Sequence, residues 1–120
     1  MEKSKKFEDL IVWQKSHQLV LSIYKMTKKF PKDELFGLTC QMRRASVSIP
    51  ANIAEGYIKR GEKDKFRFLN ISQGSLEELK YYLILSKDLD YVITDEIMSS
   101  ANEVGKLLNG YINGIQNSNS

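Results

Sequence analysis

Apolar residues recur along this chain at helical steps, and no stretch alternates apolar and polar positions with the β-branched content of a strand. From about Asp9 to Phe30, Val12, Leu19, Ile23, Met26 and Phe30 form one stripe, and Trp13, Val20 and Tyr24 form an adjacent one. Two stripes predict a helix with two packing neighbours. Pro31 ends it, and Asp33 is placed as the N-cap of the next helix, with Glu34 favourable to its dipole. That second helix is predicted from about Glu34 to Arg60. Its seam reads Leu35, Leu38, Met42, Ala45, Ile49, Asn52 and Gly56, and Gly61 is its stop. A third helix follows over about Glu62 to Leu89, with Phe66, Leu69, Leu76, Leu79 and Leu83 on one stripe and Phe68, Ile71, Tyr82 and Leu85 beside it. Gly74 and Ser75 remove bulk in its middle, where another backbone is expected to approach. Asp90 and Thr94 bracket a turn. A fourth helix then carries Ile97, Ala101, Val104, Leu108, Tyr111 and Ile115.

Short connections leave no length to cross the molecule, so the expected fold is all-α, an antiparallel up-down-up-down four-helix bundle. Residues 1–115 would form one domain and the Asn/Ser-rich residues 116–120 a disordered tail. No repeat or low-complexity linker suggests a second module.

The second helix contains the most unusual segment, Gln41 to Gly56, which threads arginines, an asparagine and a proline through an apolar seam. Pro50 cannot donate to the carbonyl of Ser46, which predicts a kink, with the hydroxyls of Ser46 and Ser48 available to the freed group. The rival reading makes Ser48 an N-cap and begins a new helix near Pro50. The unbroken apolar spacing favours the kinked helix. If the second and third helices fold back about Gly61, Arg44 falls level with Glu78, Ser48 with Gly74, Asn52 with Asn70, and Glu55 with Arg67. A polar spine of Arg44, Ser48, Asn52, Glu55, Gly74, Ser75 and Glu78 is therefore expected, anchored by the Arg44 guanidinium on Glu78.

At 120 residues and 42% hydrophobic content the chain is one soluble-type domain, and no apolar run approaches the ~20 residues of a membrane span. Nothing at the N-terminus resembles a signal-peptide core, so a cytoplasmic location without membrane contact is expected. Cys40 is the sole cysteine, which excludes an internal disulfide and a multi-cysteine metal cage. It reads as a small buried hydrophobe. Residues 1–60 carry twelve Lys/Arg against six Asp/Glu, and residues 61–120 six against nine. One basic cluster, Lys25, Lys28, Lys29 and Lys32, falls at one bundle end, and another, Lys59, Arg60, Lys63, Lys65 and Arg67, at the opposite end. These nine are the candidate nucleic-acid contacts, although solvated helix ends are the ordinary explanation for such clusters.

Catalytic and metal chemistry find little support. His17 lacks a second histidine or cysteine for a metal site. Glu55, Glu77 and Glu78 have no nucleophile, phosphate loop or zinc motif beside them, so structural ion pairs explain them best. The aromatics Trp13, Tyr24, Phe66, Phe68, Tyr82 and Tyr111 sit at helical steps and read as core. No cofactor is expected. An enzyme would need an open pocket lined by Arg44, Asn52, Glu55 and Glu78.

The segments Phe7-Glu8-Asp9-Leu10-Ile11-Val12-Trp13, Phe30-Pro31 with Glu34, Gln41-Met42-Arg43-Arg44-Ala45, Ser48-Ile49-Pro50-Ala51-Asn52-Ile53-Ala54-Glu55-Gly56 and Gly74-Ser75-Leu76-Glu77-Glu78-Leu79 resemble bacterial four-helix-bundle proteins. These were first noticed as reading frames in intervening sequences of 23S ribosomal RNA genes. Ser46 and Gln73 stand where that pattern has alanine. The resemblance implies a ring-like homo-oligomer, a pentamer, with no catalytic activity and no established substrate. A structurally similar group is the accessory proteins of diversity-generating retroelements, which bind a reverse transcriptase and nucleic acid. The expected function is accordingly a noncatalytic oligomeric scaffold associated with RNA or a ribonucleoprotein. The alternatives are a protein-protein interaction adaptor or a retroelement accessory subunit.

Overall fold

Four helices carry the fold in the computed structural model, which describes residues 5–118: α1 (Ile11–Thr27), α2 (Leu38–Ile58), α3 (Glu62–Asp88) and α4 (Asp95–Ser118). No strand occurs among the described residues. Each helix packs on two neighbours in the closed order α1, α2, α3, α4 and back to α1, and no pair packs across the diagonal. This arrangement is consistent with a four-helix bundle. At 1.5 Å per residue the 27 residues of α3 span roughly 40 Å, most of the 48 Å long axis. The α4 helix continues to Ser118, so the first residues of the expected tail are helical; residues 119 and 120 lie outside the described part.

The interior is built from the predicted stripes. Leu19 and Ile23 of α1, Met42 and Ile49 of α2, Leu69, Leu79 and Leu83 of α3, and Val104 and Leu108 of α4 are all essentially inaccessible. Ile53 joins them, one residue beyond the seam position assigned to Asn52, which is only half-buried. Leu35, expected on the seam, is 52% exposed because it lies before α2 begins.

The α1–α2 connection departs most from expectation. Lys32–Glu34 form a 3-10 turn, and α2 starts four residues late with Gly37 at its N-cap. Capping comes from Glu34, not Asp33: its Oε1 accepts the Leu38 N–H at 3.2 Å, satisfying one of the donors a helix start leaves open. A Cβ on Gly37 would sit 2.8 Å from that oxygen, so the glycine makes room for the carboxylate. The other Glu34 oxygen accepts from the Tyr91 hydroxyl at 2.8 Å, and the Tyr91 ring leans on Phe30 with centroids 5.4 Å apart. Two connections are thereby tied together at one end of the molecule.

Tyr91 is positioned by the end of α3. Asp90 has φ +62°, its N–H donates to the Lys87 carbonyl, and the Tyr91 N–H donates to the Ser86 carbonyl. These two bonds make a Schellman cap with an aspartate where glycine is usual. Thr94 then sits buried at the start of α4, its hydroxyl donating to the Leu83 carbonyl at 3.2 Å. Because a left-handed conformation costs a residue with a Cβ up to about 1–2 kcal/mol, Asp90→Gly should raise the unfolding free energy by about 1 kcal/mol in urea titration. Unchanged or lower stability would show that the Asp90 side chain contributes more than its backbone costs.

Candidate functional site

Helices α2 and α3 meet through small residues at several levels. A Cβ added to Gly56 would lie 3.3 Å from the Lys65 carbonyl oxygen and 3.4 Å from Leu69. Near the middle, the buried Ser72 hydroxyl of α3 donates to the Ile49 carbonyl of α2 at 2.9 Å. Ser75 and Ser48 join by their hydroxyls at 2.8 Å. Toward the other end Glu78 gathers three groups: the Arg44 Nη2 at 3.3 Å, the Tyr82 hydroxyl at 2.6 Å and, through Arg44, the Gln41 amide oxygen at 2.9 Å. The same Nη2 serves Gln41 and Glu78, so this is a single-nitrogen contact and not the two-pronged fork. Its side chains are 61% and 37% exposed, which limits the pair to about 0–1 kcal/mol.

The rest of the expected spine is not assembled across the helices. Asn52 turns back on its own helix, its Nδ2 donating to the carbonyl and hydroxyl of Ser48 at 2.8 and 3.0 Å. Asn70 is exposed. Glu55 and Arg67 make no ion pair; Arg67 lies against the Phe68 ring, 5.0 Å from its centroid. Gly74 meets nothing within 4 Å of an added Cβ, so it opens to solvent, and the close approach falls at Gly56 instead. Ser48 is occupied by Asn52 and Ser75, and Ser46 donates to the Arg43 carbonyl, so neither hydroxyl serves the group freed by Pro50. Ser72 escaped the sequence reading because a serine inside a leucine-rich stripe gives no signal until its cross-helix acceptor is seen.

The basic ends divide by what their cations touch. Lys25, Lys28, Lys29 and Lys32 are exposed and enter no ion pair among the described residues. At the other end Lys65 is committed to the fold: its ammonium donates to the carbonyls of Gly56 and Tyr57 at 3.2 and 2.8 Å, closing the C-terminus of α2, and burial lowers its pKa. Lys59 stacks on Phe68 with Nζ 5.1 Å from the ring centre, while Arg60 and Lys63 are exposed. His17 stacks on Trp13 at 5.1 Å. Among the described residues no cluster of three or more His, Cys, Asp or Glu could hold a metal, and no helix is long and apolar enough to cross a membrane.

Helix α2 also has a second seam that the sequence reading did not take. Cys40, Val47, Ala51 and Ile58 follow one another at seven, four and seven residues on the side opposite the core, and all are exposed, Val47 by 42% and Ile58 by 72%. Cys40 is accordingly a surface thiol and not the buried hydrophobe expected, because its position falls on this outward side. Ile71 and Tyr81 of α3 extend the apolar area beyond the serine pairs, at 45% and 57% exposure.

Comparison with known proteins decides the family. The model of the 23S rRNA-intervening sequence protein family matches residues 8–110. The chain belongs to this family. A solved structure of a protein of unknown function from the S23 ribosomal protein family of Bacteroides thetaiotaomicron is similar to it, with a TM-score of 0.76 and 28% identity over 85% of this chain and 98% of that one. No curated protein matches. In this member of the intervening-sequence family the matched region takes in both seams of α2, the serine contacts and both basic clusters.

The Tyr82 to Glu78 bond gives the site a pH signature. That bond, then burial and the Glu78 charge, raise the Tyr82 pKa above 10.0, with Arg44 opposing. A raised phenol stabilises the fold fully below pH 10 and loses that contribution as pH climbs through the folded value. Urea midpoints should therefore fall more steeply above pH 10 in the wild type than in Tyr82→Phe. Parallel slopes would contradict the assignment.

Proposed function

We propose that this intervening-sequence family member is a noncatalytic scaffold that self-associates through the outward seam of α2. The observation that carries this reading is the seam itself: Val47, Ala51 and Ile58 exposed at helical spacing, beside a flat strip made by Ser48, Ser75 and the open Gly74. Small residues let a second helix come close, and the apolar ones supply area to bury. The bundle is read as up-down-up-down with α2 and α3 antiparallel. In support, the α3 partner number falls as the α2 number rises, from Met42 with Ser86 through Arg44 with Glu78 and Ser48 with Ser75 to Gly56 with Lys65. Pro50 sits inside the unbroken α2, and the hydrogen bond it lacks bends the helix there. A closed ring of five subunits is the assembly implied by the family resemblance.

RNA association is the second component. Its support is the group Lys25, Lys28, Lys29 and Lys32, four exposed cations without an ion pair among the described residues, together with Arg60 and Lys63 at the far end. Lys65 is left out of the phosphate-facing set because the α2 carbonyls hold it. The cytoplasm is the compartment in which such a scaffold would meet RNA. In the pure adaptor alternative the same seam receives a different protein.

Sedimentation velocity separates these. The wild type should sediment well above the 13.8 kDa monomer, and Val47→Asp with Ala51→Asp should reduce it to a monomer of unchanged helicity. A wild type that stays monomeric at high concentration would overturn the self-association reading. In filter binding, RNA affinity should fall with salt, with log K declining by about 0.7 per phosphate contact per decade, and Lys25→Ala, Lys28→Ala, Lys29→Ala and Lys32→Ala combined should flatten that slope. An absence of RNA binding at low salt would leave the adaptor reading.

A further inference from the structure

At the end of the molecule where Glu34 ties two connections together, large apolar side chains are left in water. Phe36 of the α1–α2 connection is 90% exposed, more than any other large hydrophobic residue described, with Leu35 beside it. In the α3–α4 connection Ile93 is 81% exposed. There Asp88, Asp90, Tyr91, Val92 and Ile93 line an open groove of about 480 Å³. Because the Tyr91 hydroxyl reaches Glu34, two residues before Phe36, the protruding ring and the groove share one end of the bundle.

The two connections differ in charge. Residues 28–37 hold Lys28, Lys29 and Lys32, all exposed, against Asp33 and a Glu34 already engaged by Tyr91 and the Leu38 N–H. The groove holds Asp88 and Asp90, both exposed and without an ion pair among the described residues, while Lys87 beside them is taken by Asp95 at 2.7 Å. Asp90 keeps its carboxylate there at φ +62°, where glycine would sit more easily.

We propose that this end docks on the same end of a second copy across a two-fold axis, each Phe36 entering the groove of the other copy and each lysine-bearing connection facing the partner's Asp88 and the partner's Asp90. A two-fold contact requires a knob and its socket on one face of one chain, and this end carries both with matching charge. An anionic surface fits less well, since it would meet Asp88 and Asp90 along with the lysines. The two Phe36 side chains bring about 300–500 Å² to the contact, well short of the roughly 1,000 Å² that a stable interface needs, so single chains do not pair this way. The inference therefore rests on the scaffold reading. Rotation about one axis leaves this end of every copy on the same side of a ring, and several weak contacts then close at once. The product is two rings face to face. RNA on Lys28, Lys29 and Lys32 competes with the second ring for this end.

Sedimentation equilibrium of the full chain, free of RNA, is the test. The wild type should have about twice the mass of Phe36→Asp, a change at an exposed position that leaves helicity unaltered, while Val47→Asp with Ala51→Asp gives monomers at the same concentration. Charge supplies a second arm. Asp88→Lys with Asp90→Asn, and separately Lys29→Glu with Lys32→Glu, should each halve the mass, and mixing the two variants should restore it, because each connection then meets the opposite charge. A wild type that forms a single ring, with Phe36→Asp of equal mass, overturns this inference and leaves the scaffold reading standing. A monomeric wild type overturns both. Failure of the mixed variants to regain the doubled mass overturns the charge-matched two-fold contact.

Discussion

Close packing of α2 on α3 is the constraint from which the rest of this structure follows. It is made possible by small residues at successive levels: Gly56 against the Lys65 carbonyl, Ser72 under the Ile49 carbonyl, Ser48 against Ser75. A leucine at any of these levels would force the helices apart, since tightly packed interiors absorb added methylenes only by moving side chains or backbone. The hydroxyls also serve a second purpose. They let a polar strip be nearly buried without orphaned groups, and among the described residues no buried side-chain nitrogen or oxygen lacks a partner.

That packing determines which surface α2 leaves free. With Met42, Ile49 and Ile53 turned inward and Arg44, Ser48 and Asn52 turned to the α3 border, the remaining positions Cys40, Val47, Ala51 and Ile58 must face out. An exposed heptad-like seam next to a strip of small side chains is the surface on which the proposed self-association rests. The arginine-carboxylate contact at its edge is too exposed to supply much stability. Its geometry orients Glu78, and through it Tyr82, along the same border.

Much of this could be read from the chain. The stripes Val12, Leu19, Ile23 and Leu69, Leu76, Leu79, Leu83 fell in the core because helical periodicity reports burial directly. The contact of Arg44 with Glu78 was legible because a tight connection at Gly61 fixes register; the same pairing set Ser48 level with Gly74, one residue short of the Ser75 that it meets. Three features were not. Gly37 and the reach of Glu34 moved the start of α2, since an end defined by a side chain folding back over four residues leaves no local pattern. Gly74 was mistaken for the contact glycine because Gly56 was already counted as part of a seam. The outward seam was missed because small residues such as Ala51 and Cys40 have no periodic weight beside the stronger inner stripe.

The family assignment adds a frame for the chemistry without naming a partner, and the structural neighbour is itself of unknown function. The physical claim at the centre is that α2 and α3 are held by small-residue contact and that the polar row exists for that purpose. Equilibrium urea unfolding of Ser72→Leu tests it most directly. The account predicts a loss of at least about 1–3 kcal/mol from overpacking, added to the lost hydrogen bond to Ile49, and faster amide exchange in the middle of both helices. A Ser72→Leu protein as stable as the wild type, with unchanged exchange, would contradict it.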